Sequence, residues 1–273
     1  RTMRDELEAL GRDFDCGQLL NGGHTTNSAT DWQEFDRSKD PFCLKACMLF
    51  TGTSFVETCI AAGLTESAQG EPFFGPINTF ASYTWRSDPD GPRTITFANL
   101  VQAIEDTLAD AAMNGRGPDP STIFAFVDVF VCAQHRGERP GSGTCPNKTD
   151  VGKFEEVIDG CERLLIYCTP ITQPKALSRV WCLFELMSAM KRGVSVMVAL
   201  SAVDRAELRR LLLEEFDRII TLFTSIKSEN AEATYDSDRV MVMGWIRRDL
   251  GEEGCKKLDE LVAEGMRVWL AET

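Results

Sequence analysis

Residues 164–200 read LLIYCTPITQPKALSRVWCLFELMSAMKRGVSVMVAL, and this stretch decides the fold class. It opens on an apolar run at 164–168 with no polar alternation, the pattern of a strand buried on both faces. Thr169-Pro170 and Pro174 then turn the chain. Residues 176–190 carry apolar side chains at helical spacing, and Gly193 supplies a stop. Residues 194–200 form another unalternating apolar run. A strand, a crossover helix and a further strand make the unit from which parallel sheets are built.

Working outward, the same rhythm extends toward the N-terminus. Residues 77–85 can form a strand, closed by the turn-forming Ser87-Asp88-Pro89-Asp90-Gly91-Pro92. Thr96 opens an amphipathic helix carrying Phe97, Leu100, Val101, Ile104 and Leu108, which residues 114–120 break. Residues 123–132 read as a second buried strand. A Gly- and Pro-rich loop at 134–149 leads to a helix with Phe154, Val157, Ile158 and Cys161 on one side. This alternation predicts an α/β fold, a parallel sheet with helices on both faces, in which ligands sit beyond the carboxyl ends of the strands. The loops that matter are then 82–92, 134–149 and 169–177.

The flanks are less regular. Residues 206–223, 238–250 and 252–270 are helix candidates expected to pack against the core. Near the N-terminus, Trp32 and Phe35 are isolated in a polar stretch. Phe55, Val56, Cys59 and Ile60 within 46–62 suggest buried segments stopped by Gly63, and 69–76 reads as a connector. The expected organisation is an N-terminal extension at 1–76 packing on the core, an α/β domain at 77–205 and a C-terminal helical segment at 206–273.

With 43% hydrophobic and 26% charged residues, the chain of 273 residues has a globular composition. No run approaches the apolar length of a membrane span, so none is expected. Acidic residues number 42 against 29 basic, a formal charge of −13, which disfavours nucleic-acid backbones and anionic membranes as partners. Of the 10 cysteines, Cys132, Cys168 and Cys182 fall in apolar runs, where a thiol acts as a small core residue. Only Cys43 and Cys47 lie close together, and the two histidines are His24 and His135, so no metal site is expected. Reduced thiols suit an intracellular protein. The expected location is cytoplasmic, or organellar after removal of a targeting segment, since the sequence starts at Arg1 and not at Met. The Asn147-Lys148-Thr149 triplet matches a glycosylation acceptor, a pattern common by chance. The phosphate-loop, dinucleotide, nucleophile-elbow and His-Glu-x-x-His zinc motifs are absent.

One acidic residue stands out. Glu185 sits between Phe184 and Leu186 in an otherwise apolar stretch, and an unpaired buried carboxylate costs several kcal/mol. It should therefore face a partner or a cleft. A continuous helix would put Ser178 two turns earlier on the same face, with Trp181 and Cys182 between. An ion pair with Arg179, Lys191 or Arg192 is the alternative, and the pattern leaves both open. Asp128, inside an apolar run, is expected to anchor the neighbouring loop through Arg86 or Gln134, with a substrate role second.

The segment Ser178-Arg179-Val180-Trp181-Cys182-Leu183-Phe184-Glu185-Leu186 resembles the third helix of Toll/interleukin-1 receptor (TIR) domains, above all the plant type. Residues 80–86 (FASYTWR) resemble the first strand and its exit, 126–130 the second strand, and 134–149 the loop after it. The chain is also similar to algal and protist proteins with an R-x-W-C-L-F-E helix. The resemblance spans roughly residues 77–205. It implies a flavodoxin-like sheet of five strands and, in catalytic members, cleavage of the nicotinamide–ribose bond of NAD supported by a glutamate at the Glu185 position. NAD is then a substrate, with no cofactor and no metal. The reaction leaves positive charge on the ribose, which a fixed carboxylate stabilises. Nicotinamide departs as a neutral base, so a second carboxyl acting as acid is not required. Ser82, Tyr83, Trp85, Arg86, Ser178 and Trp181 would line the substrate, with Tyr83, Trp85 and Trp181 offering faces for stacking.

The chain departs from a minimal TIR domain in its polar first strand (Asn78, Thr79, Ser82), its long 134–149 loop, its N-terminal 76 residues and its helical tail. Fold alone does not fix function. The alternative is a non-catalytic interaction or scaffold subunit that docks other subunits or self-associates. That reading expects Glu185 in an ion pair, or a cleft filled by the N-terminal extension. A flavin- or phosphate-binding receiver-like protein shares the layout, but acidic residues are not grouped at the first strand's end.

Overall fold

The computed structural model describes residues 53–85, 96–115, 117–134 and 145–272. In chain order the elements are α1 (Phe55–Ala61), β1 (Thr79–Ser82), α2 (Phe97–Met113), β2 (Ala125–Phe126), α3 (Asp128–Val131), α4 (Pro146–Val151), α5 (Phe154–Asp159), β3 (Arg163–Tyr167), α6 (Val180–Arg192), β4 (Ser195–Ala199), α7 (Ala202–Glu214), α8 (Phe216–Thr224), α9 (Asp236–Leu250) and α10 (Gly254–Glu272). Short 3₁₀ turns lie at Pro120–Thr122, Lys175–Ser178 and Ser228–Asn230.

The sheet is parallel throughout, in the order β2-β1-β3-β4. Its arrangement is flavodoxin-like, with four strands among the described residues where the resemblance implied five. The chain leaves β1 to one side for β2 and returns to the other for β3. In open parallel sheets such a reversal is the place, beyond the carboxyl ends of the flanking strands, where ligands bind.

Strand periodicity sorts the core into two layers. Phe80 stacks on Phe126 with ring centroids 4.9 Å apart and meets Phe154 edge-on at 5.8 Å. Together with Leu164, Ile166 and Val198 it joins the layer that α5, α6, α9 and α10 cover. Ala81, Tyr83, Tyr167 and Ala199 face the opposite layer, built on Phe97, Leu100 and Ala103 of α2 and Val129 of α3. Helix α2 starts where its sequence indicates: the Thr96 hydroxyl accepts from the Asn99 amide at 3.1 Å.

Helix α6 is buried over most of its circumference, from Val180 to Ala189, between the sheet and the C-terminal helices. Gly193, at φ 71°, closes it in the left-handed conformation. The helix begins at Val180, not at 176. Pro174 and the extended Arg179 (φ −101°, ψ 127°) bracket a separate 3₁₀ turn, Lys175–Ser178. Arg179 pairs its backbone with Glu232 instead of entering the helix.

Three further expectations are corrected. The apolar run at 123–132 is not one strand: only Ala125–Phe126 pairs with β1, and Asp128–Val131 forms a helical turn. Phe126 serves one layer and Val129 the other, a division that a turn of helix achieves and that composition alone does not reveal. The helix expected at 206–223 divides at Glu215 (φ −140°, ψ 46°) into α7 and α8. Helix α1 holds no fully buried residue, Ile60 is 52% exposed, and Phe55 reaches the core only at its edge, 5.8 Å from Phe130. The N-terminal stretch with Trp32, Phe35, Cys43 and Cys47 lies outside the described residues.

The C-terminal helices complete the larger layer through Val242, Ile246, Leu258, Val262 and Met266. Cys132, Cys161, Cys168 and Cys182 are buried free thiols. No helix among the described residues is long and apolar enough to cross a membrane.

Candidate active site

Strand β1 ends on Ser82, which pairs in register with Ile166 of β3. Alternation along the strand turns the Ser82 hydroxyl toward α6, which presents Glu185 from its second turn. The Ser82 Oγ–H donates to Glu185 Oε2 at 2.6 Å. One turn earlier, the Cys182 thiol donates to the Tyr83 carbonyl at 3.4 Å. Helix and strand exit are thus tied at two consecutive residues.

The Glu185 side chain is nearly enclosed, with 7% exposure for the residue. No described cation pairs with it. Lys191 binds Asp249 at 2.8 Å, Arg192 binds Asp159 at 3.0 Å, and Arg179 donates to the Thr234 hydroxyl at 2.9 Å. Loss of water therefore acts almost unopposed on the carboxyl, lifting its pKa from 4.5 to about 8. The negative charge of Asp128 pushes the same way, and the Ser82 hydrogen bond pulls back.

Asp128 opens α3 beside this pair. Its Oδ1 accepts from Tyr83 Oη at 2.5 Å and its Oδ2 from Trp85 Nε1 at 2.9 Å. Burial raises its pKa, against the lowering effect of those two donors. Gln134 Nε2 donates to the Asp128 carbonyl at 2.7 Å and to the Cys132 carbonyl at 3.2 Å. Cys132 and Cys182 are pushed well up, chiefly by burial and further by the two carboxylates, so neither thiol is an ionised nucleophile.

The structure therefore gathers Ser82 onto Glu185, and Tyr83 and Trp85 onto Asp128, whose charge acts on Glu185. Ser178 is not in this group. It is exposed in the 3₁₀ turn, and its hydroxyl donates to the Lys175 carbonyl at 2.9 Å. The expected two-turn register with Glu185 fails because the helix starts after it. Trp181 lies on α6, its ring among Phe154 (5.7 Å), Trp245 (5.9 Å) and Phe184 (6.4 Å) in the layer shared with the C-terminal helices. Arg86 and His135 lie outside the described residues. Sequence reasoning missed the bond between Asp128 and the two aromatic residues. The signal was available: Tyr83 and Trp85 are two apart on an extended segment and so share a side.

Elsewhere, Asp204 is a second enclosed carboxylate, 6% exposed. It accepts from the Ile171 amide at 2.7 Å and from the Thr169 and Ser201 hydroxyls at 2.5 and 2.6 Å, tying the β3 exit to the start of α7. A cavity of about 440 Å³ lies among the C-terminal helices, lined by Lys227, Cys255, Lys256, Asp259 and Arg267, and none of the Glu185 group borders it. Among the described residues no group of three or more His, Cys, Asp or Glu side chains could hold a metal ion. Comparison with known proteins finds no matching family model, no matching curated protein and no matching solved structure.

Proposed function

We propose that this chain cleaves the nicotinamide–ribose bond of NAD on a TIR-like fold, with Glu185 as the essential carboxylate. One observation carries the reading: a carboxylate at the sheet's switch point, held by a serine hydroxyl and without a cation among the described residues. Strongly perturbed carboxyls of this kind cluster at functional sites.

The chemistry follows from that environment. Heterolysis sends the bonding electron pair to the nicotinamide nitrogen, which leaves neutral, while C1′ of the ribose becomes cationic. The Glu185 carboxylate stabilises that charge, and water adds to C1′ and loses a proton to give ADP-ribose. A positively charged ring entering the site favours the ionised form of Glu185, offsetting the effect of burial. Ser82 holds the carboxylate in one orientation. Trp85, half-buried at the exit of β1, offers aromatic surface there, and the free thiols suit an intracellular compartment.

The test is nicotinamide release from NAD by the wild type, Glu185→Ala and Glu185→Gln. Release by the wild type that falls at least about 100-fold in both variants supports the reading. Equal release by all three proteins eliminates it.

A scaffold role is the second reading. It is favoured by the apolar side chains exposed on α7 and α8, Val203 (79%), Leu213 (87%) and Phe216 (54%). Under that reading no protein releases nicotinamide, whether monomeric or assembled, and NAD leaves the number of protomers in solution unchanged.

A further inference from the structure

By pattern Cys182 is a small core residue, and its 2% exposure agrees. Its contacts give it a second part. Cys182 and Glu185 are three residues apart on α6 and so share one face of the helix. Both reach the exit of β1, at consecutive residues. Glu185 Oε2 accepts from the Ser82 hydroxyl at 2.6 Å, and the Cys182 thiol donates to the Tyr83 carbonyl at 3.4 Å.

The strand is thinly supported at that point. Its pairing with β2 stops at Phe80, because the chain enters α3 at Asp128, just past Phe126. Ala81 and Ser82 pair with β3 alone, and Tyr83 lies past the last register pair, Ser82 with Ile166. Helix α6 is the better held of the two, with Cys182, Leu183, Phe184, Leu186 and Met187 all buried in the larger layer. The thiol therefore ties the end of a half-supported strand to a fixed helix. Burial pushes its pKa well up, so Cys182 keeps its proton and stays a donor.

The groups acting on this face are few. Asp128 raises both Cys182 and Glu185, Ser82 lowers both, and Arg179 at the helix start lowers Cys182. Cys132, after α3, feels the charge of Glu185 in turn.

We infer that Cys182 is a positioning residue of the Glu185 site: through the Tyr83 carbonyl its thiol sets the β1 exit against α6, and with it the hydrogen bond from Ser82 to Glu185. The inference rests on the reading of Glu185 as the working carboxylate. It gives a buried thiol a part in the site that needs neither ionisation nor contact with the reacting atoms.

The test is a double-mutant cycle on the full chain. The Glu185 carboxyl is titrated by carbon-13 NMR without ligand in the wild type, Cys182→Ala, Ser82→Ala and the double variant, its signal assigned with Glu185→Gln. Ser82 favours the ionised form of Glu185, so a displaced Ser82 leaves the midpoint higher. Cys182→Ala is expected to raise it by about half a pH unit, and to add nothing once Ser82 is alanine. Should Cys182→Ala fail to fold, Cys182→Val, which fills the space without a donor, takes its place in the cycle. Nicotinamide release is expected to lose about tenfold in kcat with KM unchanged, as a misplaced carboxylate requires. A midpoint that does not move, or that moves equally with and without Ser82, overturns the inference, because a thiol that only fills space does not act through Ser82. Wild-type kcat in the folded variant overturns it too. Absence of nicotinamide release by the wild type counts against the reaction alone, since the cycle decides what Cys182 does independently of turnover.

Discussion

Ser82 and Glu185, 103 residues apart in sequence, meet through a 2.6 Å hydrogen bond between the last residue of the central strand and the second turn of the third crossover. The contact joins sheet to helix at the point where the strand order reverses. It gives an enclosed carboxyl one donor and no cation among the described residues, so the group is oriented by a hydrogen bond and not by an ion pair. The following predictions test that arrangement and the fold that imposes it.

Glu185 should make stability fall as pH rises. In the unfolded chain its carboxyl ionises near 4.5, in the fold near 8, so the unfolded chain loses its proton first. The contribution from Glu185 is complete below about 4.5 and is lost progressively as pH rises toward 8. At pH 7 the loss is about 3 kcal/mol relative to Glu185→Gln, which does not titrate. Urea unfolding of both proteins at pH 5, 7 and 8 measures it. Parallel pH dependences would mean an ordinary carboxyl.

Ser82→Ala removes the one hydrogen bond that favours the ionised form of Glu185. The midpoint of Glu185 is expected to climb further above its ordinary range, and nicotinamide release to need more alkaline conditions. A midpoint that falls on substitution would show that Ser82 stabilises the neutral acid instead.

Asp204→Ala should cost about 3 kcal/mol. It strips the acceptor from the Thr169 and Ser201 hydroxyls and the Ile171 amide inside the protein. The urea midpoint reads the loss. The Glu185 titration should stay where it is, because Asp204 is not among the charges acting on that group. A loss below about 1 kcal/mol would show that water takes over these donors.

Gly193→Ala should cost about 1 kcal/mol, since a Cβ is disfavoured at φ 71° even though nothing lies within 4 Å of it. Gly193→Asn should cost less, asparagine tolerating the left-handed region. Equal stability of all three proteins would mean that α6 ends in another way.

Local pattern carried much of the architecture. The apolar run around 164–168 and the Thr96-capped helix were legible because a strand buried on both faces and an amphipathic helix each impose their own spacing on neighbouring residues; the run at 194–200 also marked a strand, but β4 is buried only at its end, with Ser195 exposed. Glu185 was legible as an anomaly, a carboxylate among residues that all had to be buried. Where a run serves two layers, local pattern misleads: residues 123–132 are apolar apart from Asp128, yet Asp128 opens a helical turn that sends Val129 into one layer and its own carboxyl toward Tyr83 and Trp85.

The sequence by itself determined that a parallel sheet forms and that an acidic residue is buried on its third crossover, because hydrophobic spacing is a property of adjacent residues. Only the tertiary structure decided which groups meet that acid. Ser178 lies close in sequence but stops short of the helix, whereas Ser82 arrives from β1, and Asp128, whose charge acts on the acid, opens the helical turn after β2. Hydrogen bonding and charge depend on distance through space, and strand order sets that distance.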